Sequence, residues 1–151
     1  MTEFATHPLA EIFPLINEDS FVALKGDIAA HGLHEPIWLY EGQILDGRHR
    51  YRACRELGLD CPTQPYTGDD PLGFMLSMNL QRRHLNESQR AMVAAKIATM
   101  RQGERTDMEP SANLPKVSQS KAADKMNISV RTLADAKKVQ AEAQPWVIRA
   151  V

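Results

Sequence analysis

Apolar residues recur along this chain with two different periods, and the changes between them mark its elements. Phe21, Leu24 and Ile28 fall on one face of a helix predicted over 20–31. Asp19 or Ser20 caps its start, and Gly32 closes it in the left-handed conformation. Two apolar runs, 36–40 and 43–45, flank Glu41-Gly42 and predict a β-hairpin. Ala53, Cys54 and Leu57 define the inward side of a helix over 48–57 that stops at Gly58. Residues 61–66 are interrupted by Pro62 and Pro65, which suits an edge strand. Asp69-Asp70-Pro71 opens a further helix with the stripe Leu72, Met75, Leu76 and Met78. Asn86 and Gln89 form a capping box before an alanine-rich helix that reaches Met100. Residues 1–19 lack a clear period, and 10–13 are expected to be extended. Residues 101–115, polar and broken by Gly103 and two prolines, are expected to be a mobile linker.

The last patterned stretch, 118–139, has what a helix-turn-helix requires. Ala123 is small enough for a helix crossing, and Asn127 tolerates a positive φ in the turn. Ala122, Met126, Ile128, Leu133 and Ala136 are apolar anchors, and Ser129 caps the second helix. That helix would display Arg131, Thr132, Lys137 and Lys138, with Lys121 on the first. An ordinary helical hairpin has the same pattern. The charge distribution changes the picture here. The 151 residues carry a net charge of −1, yet residues 1–43 set seven acids against Lys25 alone. Residues 115–138 set six bases against Asp124 and Asp135, a local basic segment suited to nucleic acid. Hydrophobic content of 43% is that of a globular protein. No apolar run could span a membrane and no signal-peptide pattern is present, so a cytoplasmic protein is expected. Cys54 and Cys61 lack ligand-like spacing and are expected to be reduced, with Cys54 in the core.

The chemistry concentrates at Asp46-Gly47-Arg48-His49-Arg50-Tyr51-Arg52, where an apolar strand turns into a helix. Gly47 allows close approach of the backbone, and the first-turn N–H groups and helix dipole favour an anion. Arginines near the turn can fork onto phosphate oxygens, although positions two apart diverge by about 200° and cannot share one face. The alternative is a solvated arginine-rich helix paired with the acidic N-terminal region.

This stretch resembles the second motif of ParB-type partition protein N-terminal domains, Gly-Glu-Arg-Arg-x-Arg-Ala, standing here as Gly47-Arg48-His49-Arg50-Tyr51-Arg52-Ala53. The Asp-Gly-x-His-Arg form is closer still to the wider ParB/sulfiredoxin-like superfamily. Gly32-Leu33-His34-Glu35-Pro36-Ile37 resembles the first motif, with Glu35 where partition proteins usually have glutamine. Asn79, Gln81 and Arg82 match the third motif, but Met78 stands where that motif has glutamate. The resemblance implies an α+β fold: a small mixed sheet with helices over 1–85, followed by a helical DNA-binding region over 86–151.

It further implies a nucleoside triphosphate, CTP in the partition proteins, together with Mg2+. The nucleotide would lie among Gly32, Glu35, Pro36, Asp46, Gly47, Arg48, His49, Arg50, Asn79, Gln81 and Arg82. Lys121, Ser129, Arg131, Thr132, Lys137 and Lys138 would meet double-stranded DNA. The expected function is a homodimeric partition or transcription-regulating protein whose DNA binding is gated by nucleotide. The missing glutamate at Met78 weighs against metal-dependent hydrolysis. A weak nucleoside triphosphatase or a nuclease is the alternative, with Glu35 as a base or metal ligand. A third reading keeps DNA binding with a dead nucleotide pocket. Partition proteins continue beyond the point where this sequence stops, so either a truncated piece or a reduced DNA-binding region is expected.

Overall fold

The computed structural model describes residues 3–82, 85–99 and 117–142. The expected linker 101–115, Met100 and the apolar end 144–151 lie outside them, as do the side chains of Gln81 and Arg82. The chain forms two compact units, Met1–Arg82 and Arg83–Val151.

The first unit is α+β, with helices around a sheet of three strands among the described residues. Residues 5–7 run beside the sheet: the His7 N–H donates to the Ile44 carbonyl at 2.9 Å and Ile44 N–H to the Ala5 carbonyl at 2.8 Å. The expected extension at 10–13 does not occur. A 3-10 turn, Pro8–Glu11, takes its place, because Pro8 presets φ and the His7 ring accepts the Leu9 N–H at 3.2 Å. Helix α1 (Glu18–His31) begins earlier than expected. Its cap is Asn17, whose side-chain oxygen accepts the Ser20 N–H at 2.8 Å, rather than Asp19 or Ser20. That choice leaves Glu18 and Asp19 in the first turn, where the helix dipole favours carboxylates.

Strands β1 (Ile37–Tyr40) and β2 (Gln43–Asp46) make the expected antiparallel hairpin. Its two-residue turn has positive φ at both Glu41 (51°) and Gly42 (74°), matching strand twist. Trp38 pairs with Asp46 and Leu39 with Ile44, so an irregularity in register resets the alternation just before Asp46. Helix α2 (Arg48–Leu57) follows directly, and β3 (Thr63–Pro65) adds parallel to β1 at the sheet edge. Helix α3 (Pro71–Arg82) buries Leu72, Met75 and Leu76 as the stripe predicts.

Phe21 and Ile28 of α1 pack against Ala53 and Cys54 of α2, with Leu24 and Leu57 at the margin. Ile37, Ile44 and Tyr51 form a second cluster. Each large side chain so buried contributes roughly 1.5–3 kcal/mol. This packing fixes the pose of α2, and hence the direction of every arginine on it.

In the second unit, α4 (Glu87–Thr99) starts with the expected capping box. Gln89 N–H donates to Asn86 Oδ1 at 2.8 Å and Asn86 N–H to Gln89 Oε1 at 3.2 Å. Helices α5 (Gln119–Lys125) and α6 (Val130–Glu142) are joined through Asn127, which takes φ 51°. Ala122, Ala123, Met126 and Leu133 are buried, and Ala136 packs on Ala91, Met92 and Ala95 of α4. Among the described residues, no helix is long and apolar enough to cross a membrane.

Candidate functional site

The end of β2, the start of α2 and the middle of α3 meet around the side chain of Arg50. Gly47 is the N-terminal residue bridging β2 and α2, at φ 96°, and supplies no side-chain cap to the helix. One turn along, Arg50 lies four residues from Asp46, on the same side of the helix start. Its Nη2 donates to Asp46 Oδ2 at 2.8 Å. Its Nη1 donates to Glu35 Oε2 at 2.6 Å and, more weakly, to the Glu35 carbonyl at 3.4 Å. The other Asp46 oxygen accepts from Asn79 Nδ2 at 3.2 Å, and the same amide donates to the Met75 carbonyl at 2.9 Å. Three segments distant in sequence, the 32–36 loop, the Asp46-Gly47 turn and Asn79, are therefore tied through one guanidinium and one carboxylate.

The partners differ in burial. Asp46 is 8% exposed, whereas the Glu35 side chain is 51% exposed. Gly32 ends α1 at φ 78° and starts the loop that carries Glu35, and Pro36 ends that loop at β1. Arg50 spreads over Gly47 so closely that a Cβ there would stand 3.0 Å from Nη2, and 3.0 Å from Ile37 Cδ1.

Arg48 and His49 reach towards the segment before α1 instead. Arg48 Nη2 donates to the Phe13 carbonyl at 2.7 Å, and His49 Nε2 accepts the Ile16 N–H at 3.4 Å. The cause is helical geometry, since Arg48 and Arg50 are separated by about 200°. Their side borders a cavity of about 710 Å³ whose lining includes Leu15, Ile16, Phe21, Arg48, His49 and Arg52. That volume lies in the range of small-molecule sites. Further along α2 the solvated reading of the arginines holds: Arg52 Nε donates to Glu56 at 2.9 Å while lying 3.9 Å over the Phe21 ring, and Arg55 pairs with Glu3.

Gln81 and Arg82 continue α3 beyond Asn79. Tyr51 was not singled out by the sequence motif, yet it is buried and its hydroxyl accepts the Phe4 N–H at 3.0 Å. The i,i+4 spacing of Asp46 and Arg50 was a usable signal for their pairing; nothing local pointed to Asn79. The thiol of Cys61 is pushed up to about 12, chiefly by burial and then by its hydrogen bond with Cys54. Both cysteines are free, as expected. Among the described residues, no group of three or more His, Cys, Asp or Glu side chains is placed to hold a metal ion.

In the second unit, Lys121, Arg131 and Lys138 are exposed, and Thr132 and Lys137 are half-buried. Ser129 Oγ accepts the Thr132 N–H at 3.0 Å and contacts the Thr132 hydroxyl at 2.8 Å, so Ser129 serves as the expected cap of α6.

Among solved structures, this chain is similar to a Pnob8-like ParB-N domain, with a TM-score of 0.52 and 14% identity over 97% of this chain and 68% of that one. The chain has a ParB-type fold. Two structures of the C-terminally truncated chromosome-partitioning protein ParB from Caulobacter crescentus also match. One, complexed with CTP-gamma-S, has a TM-score of 0.46 and 22% identity over 97% of this chain and 86% of that one. The other, complexed to the centromeric parS site, has a TM-score of 0.44 and 21% identity over 90% of this chain and 66% of that one. No family model matches, and no curated protein does.

Proposed function

We propose that this chain is a cytoplasmic DNA-binding protein of the partition or regulatory type, gated by a nucleotide bound at the start of α2. The observation that carries the reading is the convergence of Glu35, Asp46, Arg50 and Asn79 around the glycine-bridged start of that helix. All three sequence motifs contribute a side chain to it. Phosphate groups would meet the N-terminal end of α2, where backbone N–H groups and the helix dipole favour an anion. Arg50 on one side and Arg48 on the other would flank them, and the cavity beside Arg48 has room for the sugar and base. CTP is the nucleotide favoured by the resemblance of the motifs.

Magnesium fits this arrangement as an ion carried in by the nucleotide. It is commonly held by one or two carboxylates together with substrate phosphates, and the half-exposed Glu35 is a carboxylate of that kind. Glu35 and Asp46 both bond Arg50, which favours binding over hydrolysis as their role.

The second unit would supply DNA contact. Helix α6 would lie in a major groove with Arg131 and Thr132 towards bases, and Lys121, Lys137 and Lys138 towards phosphates. Nucleotide at Arg50 would change how Asn79, and through it residues 79–82, is held at the end of the first unit. The expected consequence is a change in DNA affinity or in formation of a homodimer.

Calorimetric titration with CTP, ATP and GTP in magnesium, repeated on Arg50→Ala, tests the reading. One nucleotide should bind, and the variant should lose at least about tenfold in affinity, as expected for a charge-assisted contact. Lack of binding by every nucleotide would refute the gated reading and leave the second unit as the working part.

A further inference from the structure

We infer that Glu35 is an internal anion latch, a carboxylate seated on the guanidinium face that a nucleotide phosphate must take. The inference rests on the nucleotide reading above and concerns regulation of the same site.

Arg50 holds two carboxylates that differ in how firmly they are fixed. Asp46 lies at the end of β2, 8% exposed, with its second oxygen on Asn79. It is part of the scaffold. Glu35 belongs to the loop between Gly32 and Pro36, with its side chain 51% exposed. Its carboxylate reaches Arg50 Nη1 at 2.6 Å, while the Arg50 side chain is only 13% exposed. Glu35 thus occupies the Nη1 donor of a guanidinium that is otherwise largely buried. Carboxylate and phosphate oxygens compete for the same donors in the same geometry.

Three consequences follow from the exchange. An incoming phosphate displaces Glu35 from Arg50 and loses affinity through the nearby negative charge. A divalent cation brought with the nucleotide reduces that penalty, because it can accept the displaced carboxylate. The 32–36 loop, held to Arg50 through both the Glu35 side chain and its carbonyl, is released in the same event. Nucleotide occupancy is therefore transmitted to the loop joining α1 to β1. Trp38, two residues beyond Pro36 and packed on Phe74 at 4.9 Å, is placed to report that release.

The test compares the full chain with its Glu35→Gln variant, which keeps side-chain size and removes the charge. Each is titrated with CTP and with inorganic triphosphate, in excess chelator and then in magnesium. In chelator, Glu35→Gln should bind both probes roughly five- to tenfold more tightly, from the lost ion pair and the lost repulsion. In magnesium the advantage should shrink. With Trp146→Phe as background, Trp38 emission of the wild type should shift on binding, and Glu35→Gln should already resemble the bound form. Equal or weaker binding by Glu35→Gln in chelator, with the wild type binding CTP in magnesium, would overturn the latch and leave the nucleotide reading standing. Failure of both proteins to bind either probe would overturn both.

Discussion

A methyl group at position 47 would have to push its neighbours aside. Gly47 lies at φ 96°, where an L side chain is strained, and the added carbon would press on Arg50 Nη2 and Ile37 Cδ1, each at 3.0 Å. Gly47→Ala should cost about 1–3 kcal/mol in urea unfolding and also push Arg50 off Asp46, weakening nucleotide binding. His7 is the other residue with a sharp consequence. Its Nδ1 accepts the Leu9 N–H, so its proton sits on Nε2, which is buried without a hydrogen-bond partner among the described residues and lies 3.9 Å from Glu41 Oε2. Burial holds its pKa below the usual 6.5, with Glu41 opposing in part and the edge of the Tyr40 ring packed alongside. The unfolded chain takes up this proton first. Stability is therefore intact above 6.5 and falls as pH drops from there towards the lowered folded value. His7→Asn keeps an acceptor for Leu9 without the titration. Its unfolding free energy should change less than that of the wild type between about pH 7.5 and about pH 5.5. The sequence showed Gly47 as a turn residue, but it placed the α1 cap at Asp19 or Ser20, whereas the helix starts at Glu18 and Asn17 caps it.

At the scale of elements, the hairpin, α2, β3, α3 and the box at the start of α4 were all legible, because each has a local reason to form. Periodic apolar residues, a two-residue turn and an N-cap act within a few positions. Residues 10–13 depart from the expected extended segment because the Pro8 constraint and the His7 ring cap favour a turn that has no hydrophobic period. Helix α6 invites a test at this scale. If it is the DNA-reading helix, Lys137→Ala with Lys138→Ala should weaken binding evenly across DNA sequences and make the salt dependence shallower by about two. Arg131→Ala should instead change sequence preference. An even loss in both variants would remove the assignment of Arg131 to bases.

For the whole molecule, the proposed coupling makes one requirement. Arg50→Ala should abolish any effect of CTP on DNA affinity, or on mass measured by light scattering. A CTP effect of the same size in Arg50→Ala would place the nucleotide response elsewhere. The α+β class and the order of elements from α1 to α6 were legible in the sequence alone, since they follow from local patterning and residue type. The motifs also pointed to Glu35, Asp46, Arg50 and Asn79 as residues of one site. Only the tertiary structure decided how they meet: Arg50 between Glu35 and Asp46, Asn79 on the far oxygen of Asp46, Arg48 and His49 on the opposite side with Phe13 and Ile16. The reason is physical. A sequence names the charged groups near a turn, but which of them pair depends on the direction each takes from the helix. That direction is set when α2 packs Ala53 and Cys54 against α1 and Tyr51 against the sheet.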